Sequence, residues 1–182
     1  MNETLKTIAT RYSCRSFTSE PVPGTMLEAI ALAAVQAPSG MNRQAWRTVV
    51  VTDKQLIDDL EAEGMRVLSA MDDKSAYERI MSRGGKLFYN AQCIVFLPIT
   101  DGAALDCGII TENIALAATS LGLGNVICGL AGLAFTGSKA AEFKQRLQFP
   151  DGFEFGMSVL LGYAANESEP HVPDMDKIIY VK

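Results

Sequence analysis

The sequence predicts an α+β fold of three layers, and three observations lead there. Helical and strand-forming stretches occur in mixed order, about five of each, without a regular β-α-β alternation. One long segment, 104–121, is apolar on more than one side, so it must be covered on more than one side. The 182 residues are 48% hydrophobic and 20% charged, with no linker-like run, which suits a single domain spanning 1–182.

Residues 3–9 form a short first helix that gives way to the polar loop "RYSCRSF". The next helix opens on Thr25 and Glu28, a T-x-x-E capping box, and turns Leu27, Ile30, Ala31, Ala34 and Val35 to the core before Pro38 stops it. "TVVVT" (48–52) is β-branched throughout and predicts a buried strand. Asp53 caps a helix carried by Leu56, Ile57 and Leu60 to about residue 70. The polar segment 72–86, with Gly84 and Gly85, is the expected mobile part, and "QCIVFLPI" (92–99) is a second strand.

In 104–121 the stripe is Cys107, Ile110, Ile114, Ala117 and Leu121, while Leu105, Ile109 and Leu116 lie off it. In so small a chain, a second subunit is the natural cover for those three. "LGLG" supplies a glycine C-cap, "NVICG" a third strand, 138–149 another helix and "FGMSVLLGY" (155–163) a fourth strand. The Pro-rich tail ends in "KIIYV", a fifth β-forming segment whose extended tether favours docking on a partner.

Composition excludes several function classes. A net charge of −5 argues against broad nucleic-acid binding. No apolar run reaches the ~20 residues of a membrane span, and the N-terminus lacks a signal-peptide core. Four cysteines without CxxC spacing point to reduced thiols, no metal and a cytoplasmic location. A single histidine, His171, leaves little room for a hydrolase triad, and neither a P-loop nor a complete G-x-G-x-x-G is present. Without acid–base or metal equipment, a cofactor must bring the chemistry.

Two stretches carry chemistry. In "RYSCRSF", Arg11, Ser13 and Arg15 alternate, so an extended backbone projects them to one side, a set suited to a phosphate. The plain alternative is solvated arginines near a helix end. In "APSGMNRQAW", Ser39 and Gly40 permit close backbone approach, while Asn42 and Gln44 offer paired donors and acceptors for a heterocycle edge. There the plain alternative is a helix stop with a core tryptophan. Residues 1–50 hold five Lys/Arg against three Asp/Glu although the chain is acidic, which also favours a small anionic ligand.

These two stretches, with "DCGIITENIALAATSLGLG", "FYNAQCIVFL" and "LGY", resemble the nitroreductase family of FMN-dependent oxidoreductases over nearly the whole chain. The resemblance implies a three-layer α/β/α fold with a mixed, largely antiparallel sheet, a long buried dimer helix and a C-terminal arm exchanged between subunits. It implies a homodimer with FMN in a shared cleft. Arg11, Tyr12, Ser13 and Arg15 would line it from one subunit, and Pro38, Ser39, Gly40, Asn42 and Gln44 from the other. Cys128 and Gly129 would pass the flavin N5, with Cys128 a small hydrophobe rather than a catalyst. Lys86 is a further candidate for the pyrimidine edge.

Ala45 stands where the family has proline, and "NAQ" replaces Gly-Ala-Pro. The tail "EPHVPDMDK" offers His171 or Lys177 where family members often carry a Lys or Arg for the phosphate. The activity implied is ping-pong electron transfer from NAD(P)H through flavin to an electron-poor small molecule such as a nitroaromatic or quinone, with no catalytic side chain. The alternatives are enone reduction, dehalogenation or flavin breakdown on the same fold, and non-catalytic flavin binding.

Overall fold

The period-2 burial of the strands fixes the layers. The computed structural model describes residues 1–166 and 168–182. Its sheet has the order β1–β2–β4–β3, with β1 Val49–Val51, β2 Cys93–Ile99, β3 Gly124–Ile127 and β4 Glu154–Gly162. Among the described residues all three strand pairings are antiparallel, and the parallel contribution is a single bridge between Ser13 and Asn125. Along β2, Ile94 and Phe96 enter one core while Cys93, Val95 and Leu97 enter the other. Both faces of the sheet are therefore covered, so β2 reads as a continuous apolar run.

One cover is the helix pair α2 (Gly24–Val35) and α5 (Ala104–Ser120), with α1 (Glu3–Thr10) against α5. The other is α3 (Lys54–Ala70), a 3-10 segment Gly129–Phe135 and α6 (Ala140–Arg146). On this side Phe135 stacks on Phe149 and Phe155, with Phe96 edge-on. The short helix α4 (Ser75–Met81) leans on α3.

Several expectations hold in detail. Asp53 caps α3, accepting from the N–H groups of Gln55 and Leu56 at 2.9 and 3.2 Å. Gly122, at φ +78°, ends the α5 turn as a C-cap glycine does.

Other expectations change. α2 starts at Gly24 with no side-chain cap, because the Pro23 carbonyl already accepts from Met26 and Leu27 and Thr25 falls inside the first turn. Val35 and Leu32 face outward, 51% and 58% exposed, since the core stripe of α2 narrows to Ile30 and Ala34. β1 is a three-residue edge strand rather than a buried one, with Val50 half-open to solvent. The helix expected over 138–149 shortens to α6 as the chain turns at Gln148, φ +54°. Segment 72–86 holds α4, anchored by Ile80 in the core. Among the described residues "KIIYV" pairs with no strand, leaving Ile179, Tyr180 and Val181 78–95% exposed, and the described residues build six α-helices and four strands where about five of each were expected.

Candidate functional site

The segment after α1 is extended and lies beside β3. The Cys14 N–H donates to the Asn125 carbonyl at 2.8 Å, and Phe17 bridges to Ala164 on the far side. Cys14 is buried between Ser13 and Arg15, so the alternation leaves those two side chains on the opposite side from it; Phe17, further along, is buried as well. Among the described residues no carboxylate lies within 4 Å of Arg11 or Arg15, although Arg15 donates to the Ser13 carbonyl at 3.3 Å. Tyr12 packs partly against the core.

Arg15 shares a cavity of about 170 Å³ with Cys128 and Gly129, where β3 ends and the 3-10 segment begins. Gly129 keeps the floor open: a Cβ there would meet nothing nearer than Met157 at 3.8 Å. Cys128 is buried, and burial pushes its thiol above the ordinary 9.0 despite bonds from the Ala131 and Leu130 backbones. A neutral thiol fits the small-hydrophobe role. Its carbonyl is held by Ser158 Oγ at 2.8 Å.

The second block is strained. Met41, Asn42 and Gln44 all have positive φ, between 50° and 55°. Such left-handed non-glycine residues cost of order 1 kcal/mol or more and concentrate at functional sites. Gln44 N–H donates to Ser39 Oγ at 3.1 Å, and the Gly40 N–H donates to Asp106 at 3.2 Å, pinning the loop to the start of α5. The Gln44 amide donates to Asn42 Oδ1 at 2.9 Å, so the amide pair is partly spent on itself rather than fully open to a heterocycle. Pro38 is exposed at the head of this loop.

Within one chain the two blocks do not meet. Gly40 is fixed at Asp106, near the first turn of α5, whereas Asn125, which carries Ser13 and Cys14, bonds Thr119 near its last. At 1.5 Å per helical residue those anchor points are roughly 20 Å apart.

Three further candidates sit elsewhere. His171 lines a separate, largely apolar cavity with Arg11, Leu5 and Ile8 of α1, formed as the tail folds back over that helix. Lys177 is exposed and pairs with Asp174 at 3.8 Å. Lys86 pairs with Glu61 at 3.4 Å, and Glu61 also accepts from the Phe88 N–H at 2.7 Å, so this lysine is tied to α3.

The residues that sequence reasoning missed are on α4 and in the turn that follows it. Ala76, Arg79, Ile80 and Arg83 all line the Arg15–Gly129 cavity. Ala76, Arg79 and Ile80 fall at i, i+3 and i+4 of one helical face, with Arg83 in the turn beyond it, a pattern masked by the polar composition of the segment.

Comparison with known proteins gives a consistent picture. The nitroreductase family model matches residues 8–163. A nitroreductase from Desulfitobacterium hafniense DCB-2, solved with bound FMN, is 57% identical and superposes with a TM-score of 0.98, all of each chain covered. A nitroreductase from Bacteroides fragilis NCTC 9343, also with bound FMN, is 27% identical at a TM-score of 0.91 over the whole of both chains. Among curated relatives, the NADPH-flavin oxidoreductase of Vibrio harveyi is 28% identical, over 95% of this chain and 71% of its own length.

Proposed function

Since this chain belongs to the nitroreductase family, we propose that it is an FMN-dependent NAD(P)H oxidoreductase that passes electrons to an electron-poor acceptor such as a nitroaromatic or a quinone. The observation that carries this reading is the extended Arg11–Ser13–Arg15 segment, aligned on β3 and ending beside the open Cys128–Gly129 corner. The donor set fits the cofactor: cations without a carboxylate in reach suit a phosphate, and a glycine floor suits a flat ring.

Arg11 and Ser13 would hold the phosphate and ribityl chain, and Arg15 the pyrimidine edge, where its charge favours electron density. Gly129 lets the ring approach the backbone, and the neutral Cys128 thiol contributes bulk rather than reactivity. FMN, when bound, supplies the two-electron chemistry, so the protein need provide only position and charge. Reductant and acceptor would take turns in the same cavity, which is the ping-pong pattern.

We read the chain as one domain working as a homodimer. Pro38, Ser39, Gly40, Asn42 and Gln44 stand too far from Arg15 within one chain to share a ligand with it, and a two-fold partner would supply them in trans. Leu32, Val35 and Leu105, all at least half exposed on the α2–α5 layer, would be covered by that partner. Alongside the open edge of β1 runs a groove of about 630 Å³, and the Thr48 hydroxyl that lines it is buried without a hydrogen-bond partner. An incoming "KIIYV" strand would fill the groove and extend the sheet. The four buried, unpaired thiols suit the cytoplasm.

The test is the absorbance of the purified protein, followed by NAD(P)H oxidation with a quinone or a nitroarene. Bands near ~450 and ~370 nm and FMN released on heating support the reading. A colourless protein that neither takes up FMN nor oxidises NAD(P)H would sink it.

A further inference from the structure

Three arginines line one small cavity. Arg15 reaches it from the segment beside β3, Arg79 from α4, which Ile80 anchors in the core, and Arg83 from the turn that follows α4. Among the described residues no carboxylate lies within 4 Å of any of the three. Elsewhere the chain does pair its arginines: Arg66 with Glu63, and Arg146 with Asp59 and Glu142. Asp73, the acid whose field reaches Arg79, is engaged with Ser75, whose N–H it accepts at 2.8 Å.

Like charges around a shared cavity repel, and an anion between them turns that repulsion into attraction. Two planar forks lining one cavity are matched by a carboxylate or a phosphate, which each can engage through parallel N–H bonds. Much of the remaining wall, Ile80, Val126, Ile127 and Leu130 among it, is apolar and suits a ring attached to that anion. Arg11 lines a different cavity, with His171, so Arg79 and Arg83 are placed at the ring end rather than at the Arg11 end.

We propose that Arg79 and Arg83 recognise an oxyanion, carboxylate or phosphate, on the small molecule that exchanges electrons at the Cys128–Gly129 corner. This rests on the function proposed above and narrows its substrate class to anionic molecules. The arginines are specificity-determining: they act on binding, with no bond made or broken at either one.

The test uses the FMN-loaded protein and its Arg79→Gln/Arg83→Gln double variant, with the Arg→Lys pair as the charge-conserving control. Calorimetry gives the Kd for benzoate and for inorganic phosphate, without turnover. Steady-state rates compare 4-nitrobenzoate with nitrobenzene, and NADPH with NADH. If the oxyanion is an acceptor carboxylate, the Gln pair raises Kd for benzoate and KM for 4-nitrobenzoate at least tenfold, leaves nitrobenzene unchanged, and the Lys pair recovers part of the loss. If it is the phosphate of the reductant, the loss falls on inorganic phosphate and on NADPH relative to NADH. Equal losses for charged and uncharged substrates, no loss in any arm, or a tenfold weaker hold on FMN would each overturn the proposal. Absence of NAD(P)H oxidation would overturn the proposed function instead, and the two calorimetric titrations would still decide the fate of Arg79 and Arg83.

Discussion

The backbone N–H of Cys14 donates to the carbonyl of Asn125 at 2.8 Å, and this contact ties the arginine segment to the sheet. Asn125 is itself fixed, its side-chain amide donating to the Ala115 carbonyl and to Thr119 of α5 at 3.1 and 3.0 Å. Helix, strand and arginine segment are thereby set in one frame.

Gly124 permits that frame, since a Cβ there would lie 2.8 Å from Cys14 Sγ. Gly124→Val should destabilise the fold by about 1–3 kcal/mol, the usual cost of overpacking. It should also weaken FMN by displacing Ser13. Thermal unfolding and a fluorescence titration of FMN measure the two effects, and unchanged values in both would show that the contact is slack.

Arg11→Ala should weaken FMN binding by about 1.5–3 kcal/mol, the range of a hydrogen bond to a charged group. Equilibrium titration at constant salt reads it directly. Wild-type affinity in this variant would remove Arg11 from the cofactor site.

Truncation after Lys177 removes "IIYVK" and with it the strand proposed for the β1 groove. Sedimentation should show a dimer for the full chain and a shift toward monomer for the truncated one at micromolar concentration. A full-length chain that sediments as a folded monomer would rule out the shared site.

Glu63 has a buried side chain and forms two bonds with Arg66, at 2.7 and 2.8 Å. Those bonds hold its carboxyl below the ordinary 4.5. A carboxyl depressed by folding contributes stability above its unfolded value, and that contribution is lost as pH falls through the folded one. Between pH 6 and pH 3 the Tm of Glu63→Gln should therefore fall less than that of the wild type. Parallel curves would mean that the pair adds nothing to acid stability.

Cys128→Ala should retain most of the NAD(P)H oxidation rate, because burial keeps the thiol protonated at neutral pH. A loss of a hundredfold or more, with FMN still bound, would make the sulfur a participant.

Much of this molecule was legible from local rules. The Asp53 cap, the Gly122 turn and the two-sided burial of β2 follow from residue type and period. The start of α2 was misread because Pro23 sets the first turn from outside the T-x-x-E pattern. Val35 was placed in the core because helical period shows which positions share a face, but not how wide a stripe the neighbours bury. For the site, the alternation of Arg11, Ser13 and Arg15 was visible. The self-pairing of Asn42 and Gln44 was not, since it depends on three left-handed residues that sequence does not announce. Arg79 and Arg83 were hidden for a further reason: a seven-residue helix rich in charge, with the turn that carries Arg83 after it, resembles a loop until Ile80 is seen in the core.

The four buried cysteines turn the protein into its own stopwatch. Cys14, Cys93, Cys107 and Cys128 are each at most 7% exposed, so a thiol reagent in solution meets a sulfur only when the surrounding structure opens. They occupy four different settings: an edge segment held by single bridges, the central strand, the long helix and the corner beside the cavity. Labelling rates therefore report four separate opening events, and the ordering should run from the loosely tethered Cys14 to the central Cys93. Burial, which removes these sulfurs from the chemistry of the folded state, makes them timekeepers of its departures.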